Sequence, residues 1–419
     1  MRYNIRSIIR YLSFAAVLVI ALYAFPGSTE IDEQVFAINV GIDKLDNGLM
    51  RLTVQMPSGE QGGSGETPGG GSGQSGDTGS GSTGQQGEKA AQLEEARKIQ
   101  QASQQAGYLI ATADGVNYPD ALNMMTATLP RLLNMSQVKQ VVISERFASD
   151  SDAFRKLMER LVYDNEFYNA AQMVICEGEA EAFLREQRLI LGARLSKAQD
   201  AADYAHLLVG LVPSAHISSV FFGMNSGYGD GIAALCATNL FTAGSDAGAD
   251  PDASGAIYAG QAARTGPNLN EYIGSALFDD NCMVGKLTGY ETQMAHILAG
   301  TLNSMLLMED GDTAQLTQRS QPRVSIDLSG DVPRIEVQLE LYIKLHQQGM
   351  SLAEAQTKLQ NDMSALIDKC QQLGVEPFGF GAVAVRQFLT FADWNQYDWR
   401  ERFAAADVQI QVELMETNL

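Results

Sequence analysis

The stretch of sequence that decides the fold runs from residue 324 to residue 345 and reads VSIDLSGDVPRIEVQLELYIKL. Apolar and polar residues alternate on both sides of the Ser329-Gly330-Asp331 turn, as they do in antiparallel strands with one buried face. The pattern therefore predicts two paired strands, whose inward-facing residues are Val324, Ile326, Leu328, Ile335, Val337, Leu339, Leu341, Ile343 and Leu345.

A long helix follows this pair of strands. Ser351-x-x-Glu354 is a capping box, and Gly374 supplies the left-handed residue at which helices commonly end. Residues 408–414 then alternate again and predict a closing strand. We therefore expect residues 291–419 to form an α+β domain, a mostly antiparallel sheet with one long helix whose apolar stripe is Leu352, Ala355, Leu359, Met363, Leu366, Cys370 and Leu373.

Residues 29–190 predict an α/β domain, because strand-like and helix-like patterns alternate along them. The domain opens with a hairpin around the Asp46-Asn47-Gly48 turn. The later predicted strands are 108–113, 138–143 and 173–176. The predicted helices are 120–133, which Pro130 ends or kinks, a helix capped by Asp152, and a short helix through residues 180–184.

Two further regions complete the organisation. Residues 57–87 are rich in Gly, Ser and Gln and have almost nothing to bury, so we expect a disordered insertion within the first domain. Residues 191–290 predict a middle domain with long loops and two short strands, 217–222 and 273–278. The predicted fold class is thus mixed α/β and α+β, with three domains of mixed sheets packed with helices.

The N-terminal segment 1–28 has the features of an export signal or a membrane anchor. Arg2, Arg6 and Arg10 precede the apolar run 11–25, and Pro26-Gly27 ends it. A full span needs about 20 residues, which the segment nearly reaches if it begins at Ser7 and Arg10 extends to the interface. The basic flank predicts a cytoplasmic N-terminus and an extracytoplasmic body, whether the segment is cleaved or retained.

Composition and charge exclude several classes of function. The net charge is −21, which disfavours both nucleic acid and electrostatic adsorption to anionic lipid, so membrane attachment is expected to be hydrophobic. The four cysteines and four histidines are scattered along the chain and form no metal-binding motif. We expect the cysteines to be small buried apolar residues, and we predict neither a metal nor a cofactor.

Two loops resemble ligand motifs only in part. Residues 227–231 (GYGDG) suggest a dinucleotide loop, but Ile232 stands at the sixth position and no acidic residue follows at the required spacing. Residues 250–261 begin like a calcium loop, but Gln261 replaces the bidentate carboxylate. Flexible glycines and an acidic solvated loop are the favoured interpretations. Asp279-Asp280 with Glu291 could supply paired carboxylates, yet no hydrolase or kinase motif accompanies them, and we expect no enzyme.

Aromatic residues cluster near the C-terminus. Phe391, Trp394, Tyr397 and Trp399 surround a short helix that Phe403 follows. The favoured interpretation is an aromatic cluster that anchors the helix on the sheet. The alternative is a docking patch for a partner, formed by Phe391, Trp394, Tyr397 and Trp399.

These residues carry a resemblance to a known family. Residues 375–381 (VEPFGFG), with Trp394, Trp399, Phe403 and the closing strand, resemble the C-terminal region of the Ger(x)C family, the C subunits of spore germinant receptors. Segments 30–43, 118–145 and 277–291 are similar to the same family in the same order. Members usually carry a lipobox cysteine just before the Glu-Ile segment, whereas this chain has no cysteine before Cys176. Segment 11–25 is therefore the expected anchor.

The resemblance implies a non-catalytic subunit on the outer face of the spore inner membrane. Such a subunit would assemble with two membrane-embedded receptor subunits, one of which would bind the small-molecule germinant. Two alternatives remain open: an exported solute-binding protein, and an envelope or sporulation assembly protein of similar architecture.

Overall fold

The predicted hairpin around Asp46-Asn47-Gly48 forms part of the larger of two main sheets. Its strands are β2 (Asn39–Lys44) and β3 (Met50–Pro57), paired antiparallel, with Gly48 at a φ of 82° in the turn. The computed structural model describes residues 33–57, 108–164, 167–187, 195–197, 199–200, 208–239, 255–262, 269–309, 312–345 and 350–417. The predicted anchor 1–28, the insertion after Pro57 and residues 250–254 of the predicted calcium loop lie outside these ranges.

The larger sheet has eight strands in the order β10-β9-β8-β7-β6-β2-β3-β4. Strands β2, β6, β7 and β8 run parallel to one another, and the other pairs of the sheet are antiparallel. The predicted domains 29–190 and 191–290 both contribute strands to it, a sharing that the sequence did not predict. The remaining strands are β4 (Tyr108–Gly115), β6 (Gln140–Ser144), β7 (Gln172–Glu177), β8 (Gly231–Thr238), β9 (Asn270–Phe278) and β10 (Met283–Leu287).

A small second sheet precedes β2 and β6 along the chain. β1 (Gln34–Phe36) pairs in parallel with β5 (Leu132–Asn134). The predicted helix 120–133 is therefore shorter than expected. Helix α1 (Tyr118–Thr128) ends before Pro130, whose ring cannot continue a helix, and the residues after the proline become β5.

Four further helices pack against the eight-stranded sheet. They are α2 (Glu145–Ala148), α3 (Ser151–Tyr163), α4 (Ala180–Glu186) and α5 (Ile217–Asn225). The cap of α3 is Asp150 and not the predicted Asp152, since the Asp150 carboxylate accepts a hydrogen bond from the Ala153 backbone N–H. Asp43 at the end of β2 accepts from the Ala180 and Glu181 backbone N–H groups and so holds the start of α4.

The predicted strand 217–222 is wrong, because these residues form α5. Ile217, Val220 and Met224 are buried at a three- and four-residue spacing, which is the period of a helix. The His216 backbone N–H donates to Ser219 Oγ and closes the first turn. The strand of this region is β8, which was missed because its Gly-, Ala- and Cys-rich sequence has a low β-propensity.

The C-terminal sheet has five strands, and its inward residues are those predicted. β14 (Arg334–Leu345) pairs antiparallel with β12 (Asp312–Gln318) and β13 (Arg323–Asp327), and β12 pairs with β11 (Met305–Glu309). The closing strand β15 (Asp407–Glu416) runs parallel to β14. A parallel pair needs a long crossover, and the helices between residues 352 and 403 provide it.

The predicted long helix is α7 (Leu352–Leu373), which packs against β15 and the sheet core. Its capping box is present, with Glu354 N–H to Ser351 Oγ at 3.2 Å and Ser351 N–H to Glu354 Oε2 at 2.9 Å. Gly374 ends it in the left-handed conformation, at a φ of 69°. The helices after α7 are α8 (Phe380–Ala384), α9 (Phe391–Tyr397) and α10 (Trp399–Phe403).

We call the eight-stranded sheet with its helices the larger body, and the five-stranded sheet with its helices the C-terminal body. Helix α6 (Gly289–Ala299) joins them, since it follows β10 and lies against α7. Tyr290 Oη donates to Asp362 at 2.6 Å, and Lys369 Nζ lies 2.8 Å from Glu291. Leu373 at the end of α7 packs directly on Gly285 of β10. No helix of the described ranges is long and apolar enough to cross a membrane.

Candidate functional site

A loop of the larger body meets the C-terminal body at one compact contact. We call this contact the junction and define it as residues 227–231, 376–381 and 394–400. It contains the glycine loop and most of the aromatic cluster, two features that lie far apart in the sequence. The loop follows α5 and leads into β8, and it is closed against the C-terminal body. Because the C-terminal body covers the loop, we interpret residues 227–231 as a structural glycine loop and not as a dinucleotide-binding site.

The backbone and side chain of Asp230 both bond to Glu376. The Asp230 N–H donates to the Glu376 carbonyl at 3.0 Å, and the Glu376 N–H donates to Asp230 Oδ2 at 2.6 Å. The two segments are 146 residues apart in the chain. This reciprocal pair fixes the position of the glycine loop relative to the C-terminal body.

An ion-pair network continues from Asp230. Arg400 bonds to Asp230 with one guanidinium nitrogen and to Asp280 with the other, at 2.5 Å from Asp280. Burial raises the pKa of Asp230, and the Arg400 cation and the Glu376 backbone N–H partly offset the increase. The pKa of Arg400 is raised by its acidic neighbours, although its own burial acts against the charge. The pair therefore depends on both partners staying in place.

Glu376 is a buried carboxyl, with 1% of its surface exposed. Its two oxygens accept from different backbone donors, the Phe378 N–H and the Gly381 N–H, each at 2.8 Å. Burial raises the pKa of Glu376 to about 7, although these hydrogen bonds favour the ionised form. Glu376 thus organises the turn between α7 and α8 and can change its protonation state near neutral pH.

The aromatic residues fill the space beneath these polar groups. Trp394 and Trp399 are 2% and 3% exposed, and their rings are stacked with centroids 5.9 Å apart. Trp394 Nε1 donates to the Gly227 carbonyl at 3.1 Å. Tyr397 is half-buried against Phe388, and Phe391 is 76% exposed. Of the four predicted docking residues, the two tryptophans therefore anchor the junction, and Phe391 lies on the surface.

Gly381 is required by the close packing at this point. A Cβ atom placed on it would lie 2.2 Å from the Tyr228 carbonyl oxygen and 2.6 Å from Trp399 Nε1. Real Cβ atoms do not approach this closely, so only glycine fits without displacing a backbone segment.

Sequence reasoning missed Asp230, Glu376 and Arg400. A signal was available for Glu376, which is an isolated acid between Val375 and the Pro377-Phe378 pair. A single charge in an apolar run is often buried and bonded to the backbone. No local signal pairs Asp230 with Arg400, because they lie 170 residues apart.

The other candidate sites are occupied by structural contacts. Asp279 accepts from the Asn281 and Cys282 backbone N–H groups, and Glu291 caps α6 and pairs with Lys369, so the two do not form a carboxylate pair. Cys176 and Cys236 are buried and lie opposite each other on the neighbouring strands β7 and β8, although they are far apart in the sequence. Within the described ranges no three metal-binding side chains come together.

Among the cavities formed by the described residues, two have the volume of a small molecule. One has a volume of about 310 Å³ and lies between the start of β8, helix α6 and Pro377. The other, of about 410 Å³, lies beside the β2–β3 turn and α3. The smaller cavity has no aromatic lining. His296 on its wall is already bonded through both ring nitrogens, to Thr301 Oγ1 and to the Val212 carbonyl.

Comparison with known protein families identifies the chain's relatives. A family model described as "Spore germination B3/ GerAC like, C-terminal" matches residues 273–415. A second, "Spore germination protein N-terminal domain", matches residues 27–100 and 91–191. The chain belongs to the GerAC-like family of spore germination proteins. The resemblance drawn from the sequence is thereby confirmed, and the family is one of germinant receptor C subunits rather than of known enzymes.

One solved structure is also matched to this chain. The "Crystal Structure of the GerBC protein" shares 13% sequence identity, covers 90% of this chain and 97% of its own, and has a TM-score of 0.47. No curated protein sequence matches this chain. The glycine loop 227–231 lies between the regions that the two family models cover, and the rest of the junction lies within the C-terminal one.

Proposed function

We propose that the chain is a non-catalytic subunit of a spore germinant receptor, contributing to receptor assembly and nutrient-triggered germination. The observation that carries the proposal is the match of both its N-terminal and its C-terminal regions to GerAC-like family models. The subunit would stand on the extracytoplasmic face of the spore inner membrane, held by segment 1–28. Two membrane-embedded subunits would be its partners, and one of them would bind the germinant.

The junction gives this proposal a physical basis. A subunit that assembles with others must present its two bodies in a fixed relative position, because a flexible arrangement costs binding free energy. The bonds from Asp230 to Glu376 and Arg400, together with the two buried tryptophans, hold the bodies in one arrangement. We therefore expect the receptor to depend on an intact junction.

The test is germination of spores that lack the gene and carry a complementing copy. Spores with the wild-type copy should respond to nutrients, spores without it should not, and Gly381→Ala should reduce the response. Gly229→Ala is the matched control, because the nearest atom to its added Cβ lies 3.8 Å away. Loss of the gene with no change in the response to any nutrient would refute the proposed function.

The alternative is an exported solute-binding protein. The smaller cavity has no Phe, Tyr or Trp in its lining, whereas Tyr118 and Phe147 line the larger one. Thermal shift with amino acids and sugars separates this alternative from the receptor subunit, since a bound ligand stabilises the folded chain. Pull-down from spore membranes addresses the remaining alternative. Recovery without transporter-like partners would favour an envelope or sporulation assembly protein.

A further inference from the structure

The chain enters the larger body at one edge of the eight-stranded sheet. β1 directly precedes β2, and β5, its partner, directly precedes β6. We call this the entry edge, defined as the edge at which the parallel strands β2, β6, β7 and β8 begin. The predicted membrane anchor 11–25 thus leads toward this edge.

Exposed aromatic residues lie along the entry edge beneath β7. The segment between α3 and β7 is tied there, because Asn169 Nδ2 donates to the Val162 carbonyl at 3.0 Å. The start of α5 joins it through Ile217 N–H to the Ala171 carbonyl at 3.1 Å. Three aromatic residues of these segments are largely exposed, at 73%, 47% and 59%: Tyr163, Tyr168 and Phe222.

Two of these residues contact further aromatic side chains. Tyr163 contacts Phe221 edge-on with centroids 6.0 Å apart, and Phe222 contacts Tyr228 in the same way at 5.8 Å. Tyr228 is part of the glycine loop that the C-terminal body covers. We call Tyr163, Tyr168, Phe221 and Phe222 the aromatic surface, which Tyr228 borders.

An apolar tip of the C-terminal body adjoins the aromatic surface. Trp394 bonds to Gly227, next to Tyr228, and Phe388 packs on Trp394 with centroids 5.1 Å apart. Directly after Phe388 come Leu389, which is 99% exposed, and Phe391, which is 76% exposed. Exposed apolar side chains that lie close together often mark an interaction surface.

The length of chain before the entry edge indicates what covers this surface. Seven residues, 26–32, separate the predicted anchor from the first described residue, Glu33, so the body is held within about 25–30 Å of the membrane. Tyrosine rings are enriched at the membrane–water interface, and phenylalanine and leucine are typical of apolar surfaces that enter the boundary between headgroups and acyl chains. The net charge of −21 leaves hydrophobic contact as the available attraction.

An ion pair lies at the end of α3, beside the aromatic surface. Arg160 is 3.4 Å from Asp164. Paired charges reduce the desolvation cost when a surface approaches a low-dielectric layer.

We propose that the aromatic surface and the Leu389–Phe391 tip rest on the lipid bilayer interface, as a second membrane contact beside the anchor. This contact deepens the proposed function and rests on its membrane attachment. It fixes the orientation of the subunit, with the entry edge toward the lipid and the β2–β3 turn away from it. Phe391 then acts in lipid contact, while the two buried tryptophans hold the tip in place.

The test uses the full chain in phosphatidylcholine vesicles, with a fluorophore on Ser218→Cys in a Cys282→Ser background. Ser218 is an exposed neighbour of the aromatic surface, and the other three cysteines are buried. The matched control carries the fluorophore on Asn47→Cys, in the exposed β2–β3 turn at the far end of β2. Lipids with a spin label near the headgroup then quench any fluorophore that lies at the interface.

We expect strong loss of emission at position 218 and none at position 47, and recovery of emission when Phe222→Ser and Phe391→Ser are added. Floating of the chain with the vesicles without quenching at position 218 would overturn the lipid contact and leave the attachment intact. Shielding of position 218 in spore membranes but not in vesicles would also overturn it, in favour of a protein partner. Failure to float at all would refute both the attachment and the contact.

Discussion

At the scale of single residues, the junction depends on two buried carboxyl groups in different situations. Asp230 has a cationic partner in Arg400, whereas Glu376 has backbone donors and no cation among its hydrogen-bond partners. Burial removes the hydration of the Glu376 carboxylate, and no cation replaces it. Burial is therefore the main cause that raises the pKa of Glu376. The two residues therefore respond to different perturbations, pH in one case and loss of the partner in the other.

The pH response of Glu376 has a definite sign. Its pKa is raised to about 7 from an ordinary value of 4.5, so the folded chain binds this proton more tightly than the unfolded chain. The resulting stability is complete below about pH 4.5 and is lost as the pH rises through about 7. The raised pKa of Asp230 acts in the same direction, and the lowered pKa of His296 acts in the opposite one.

We predict that Glu376→Gln lowers the free energy of unfolding more at pH 5.5 than at pH 8. Glutamine has one acceptor oxygen in place of two, so one of the two backbone donors is left without an acceptor at every pH. In the wild type, the raised pKa stabilises the folded chain at low pH by on the order of 3 kcal/mol at most, and this stabilisation is lost as the pH rises. Urea unfolding of both proteins at several pH values measures the difference, in which the effect of His296 cancels. A difference that stays constant with pH would contradict the assignment.

The Arg400 pair gives a second prediction at this scale. Arg400→Leu leaves Asp230 buried without its cation, and we expect a loss of about 2–3 kcal/mol, below the range for fully buried pairs because Arg400 is one-third exposed. Arg155→Leu is the control, since it breaks an exposed pair with Glu159 and should cost less than about 0.5 kcal/mol. Equal losses in the two variants would show that the Asp230 pair contributes no more than a surface contact.

At the scale of elements, two short glycine-containing turns allow the bodies to approach. The turn at 376–381 and the loop at 227–231 come so close that the backbone of one occupies the space of a side chain on the other. The Gly381 N–H also donates to Glu376, so the same residue supplies both a hydrogen bond and the necessary space. Gly381 is therefore needed for close packing, whereas Gly227 and Gly379 in the same two segments have positive φ values of 69° and 86°.

We predict that Gly381→Ala destabilises the chain by about 1–3 kcal/mol, because the added Cβ collides with a carbonyl oxygen and an indole nitrogen. Gly229→Ala, whose added Cβ would meet one atom at an ordinary contact distance of 3.8 Å, should change stability by less than about 0.5 kcal/mol. Thermal unfolding of the two variants checks the pair. Similar melting temperatures would mean that the turns are further apart than described.

At the scale of the whole molecule, opening of the junction can be measured separately from unfolding of the two bodies. The chain contains two tryptophans, and both lie in the junction. Their fluorescence therefore reports on the contact between the bodies, whereas circular dichroism reports on the helices and sheets of both. The α6–α7 contact forms a second connection, through Tyr290 and Lys369, on the other side of β10.

We predict that the two signals coincide during urea unfolding of the wild type and separate in Arg400→Leu. In that variant the fluorescence midpoint should fall below the circular dichroism midpoint, since the junction opens while α6 and α7 still hold the bodies together. Coincident transitions in both proteins would show that the junction cannot open on its own.

The sequence by itself determined the elements whose signals are local. The alternation at 324–345 and the capped, periodic helix at 351–374 are properties of neighbouring residues, and each was found where predicted. The motifs that carried the family resemblance are also short and local, and the family was confirmed. Local patterns failed where a buried helical stripe at 217–225 resembled a strand and where a Gly- and Ala-rich strand at 231–238 lacked β-propensity.

Only the tertiary structure decided how distant segments meet. It placed β15 parallel to β14, joined the first two predicted domains in one sheet, and brought Asp230 to Arg400 across 170 residues. It also buried Trp394 and Trp399 while leaving Phe391 exposed, a division that four similar aromatic residues cannot reveal by spacing. The reason is physical: periodicity fixes which face of an element is apolar, whereas the partner of that face is chosen by packing and burial over the whole chain.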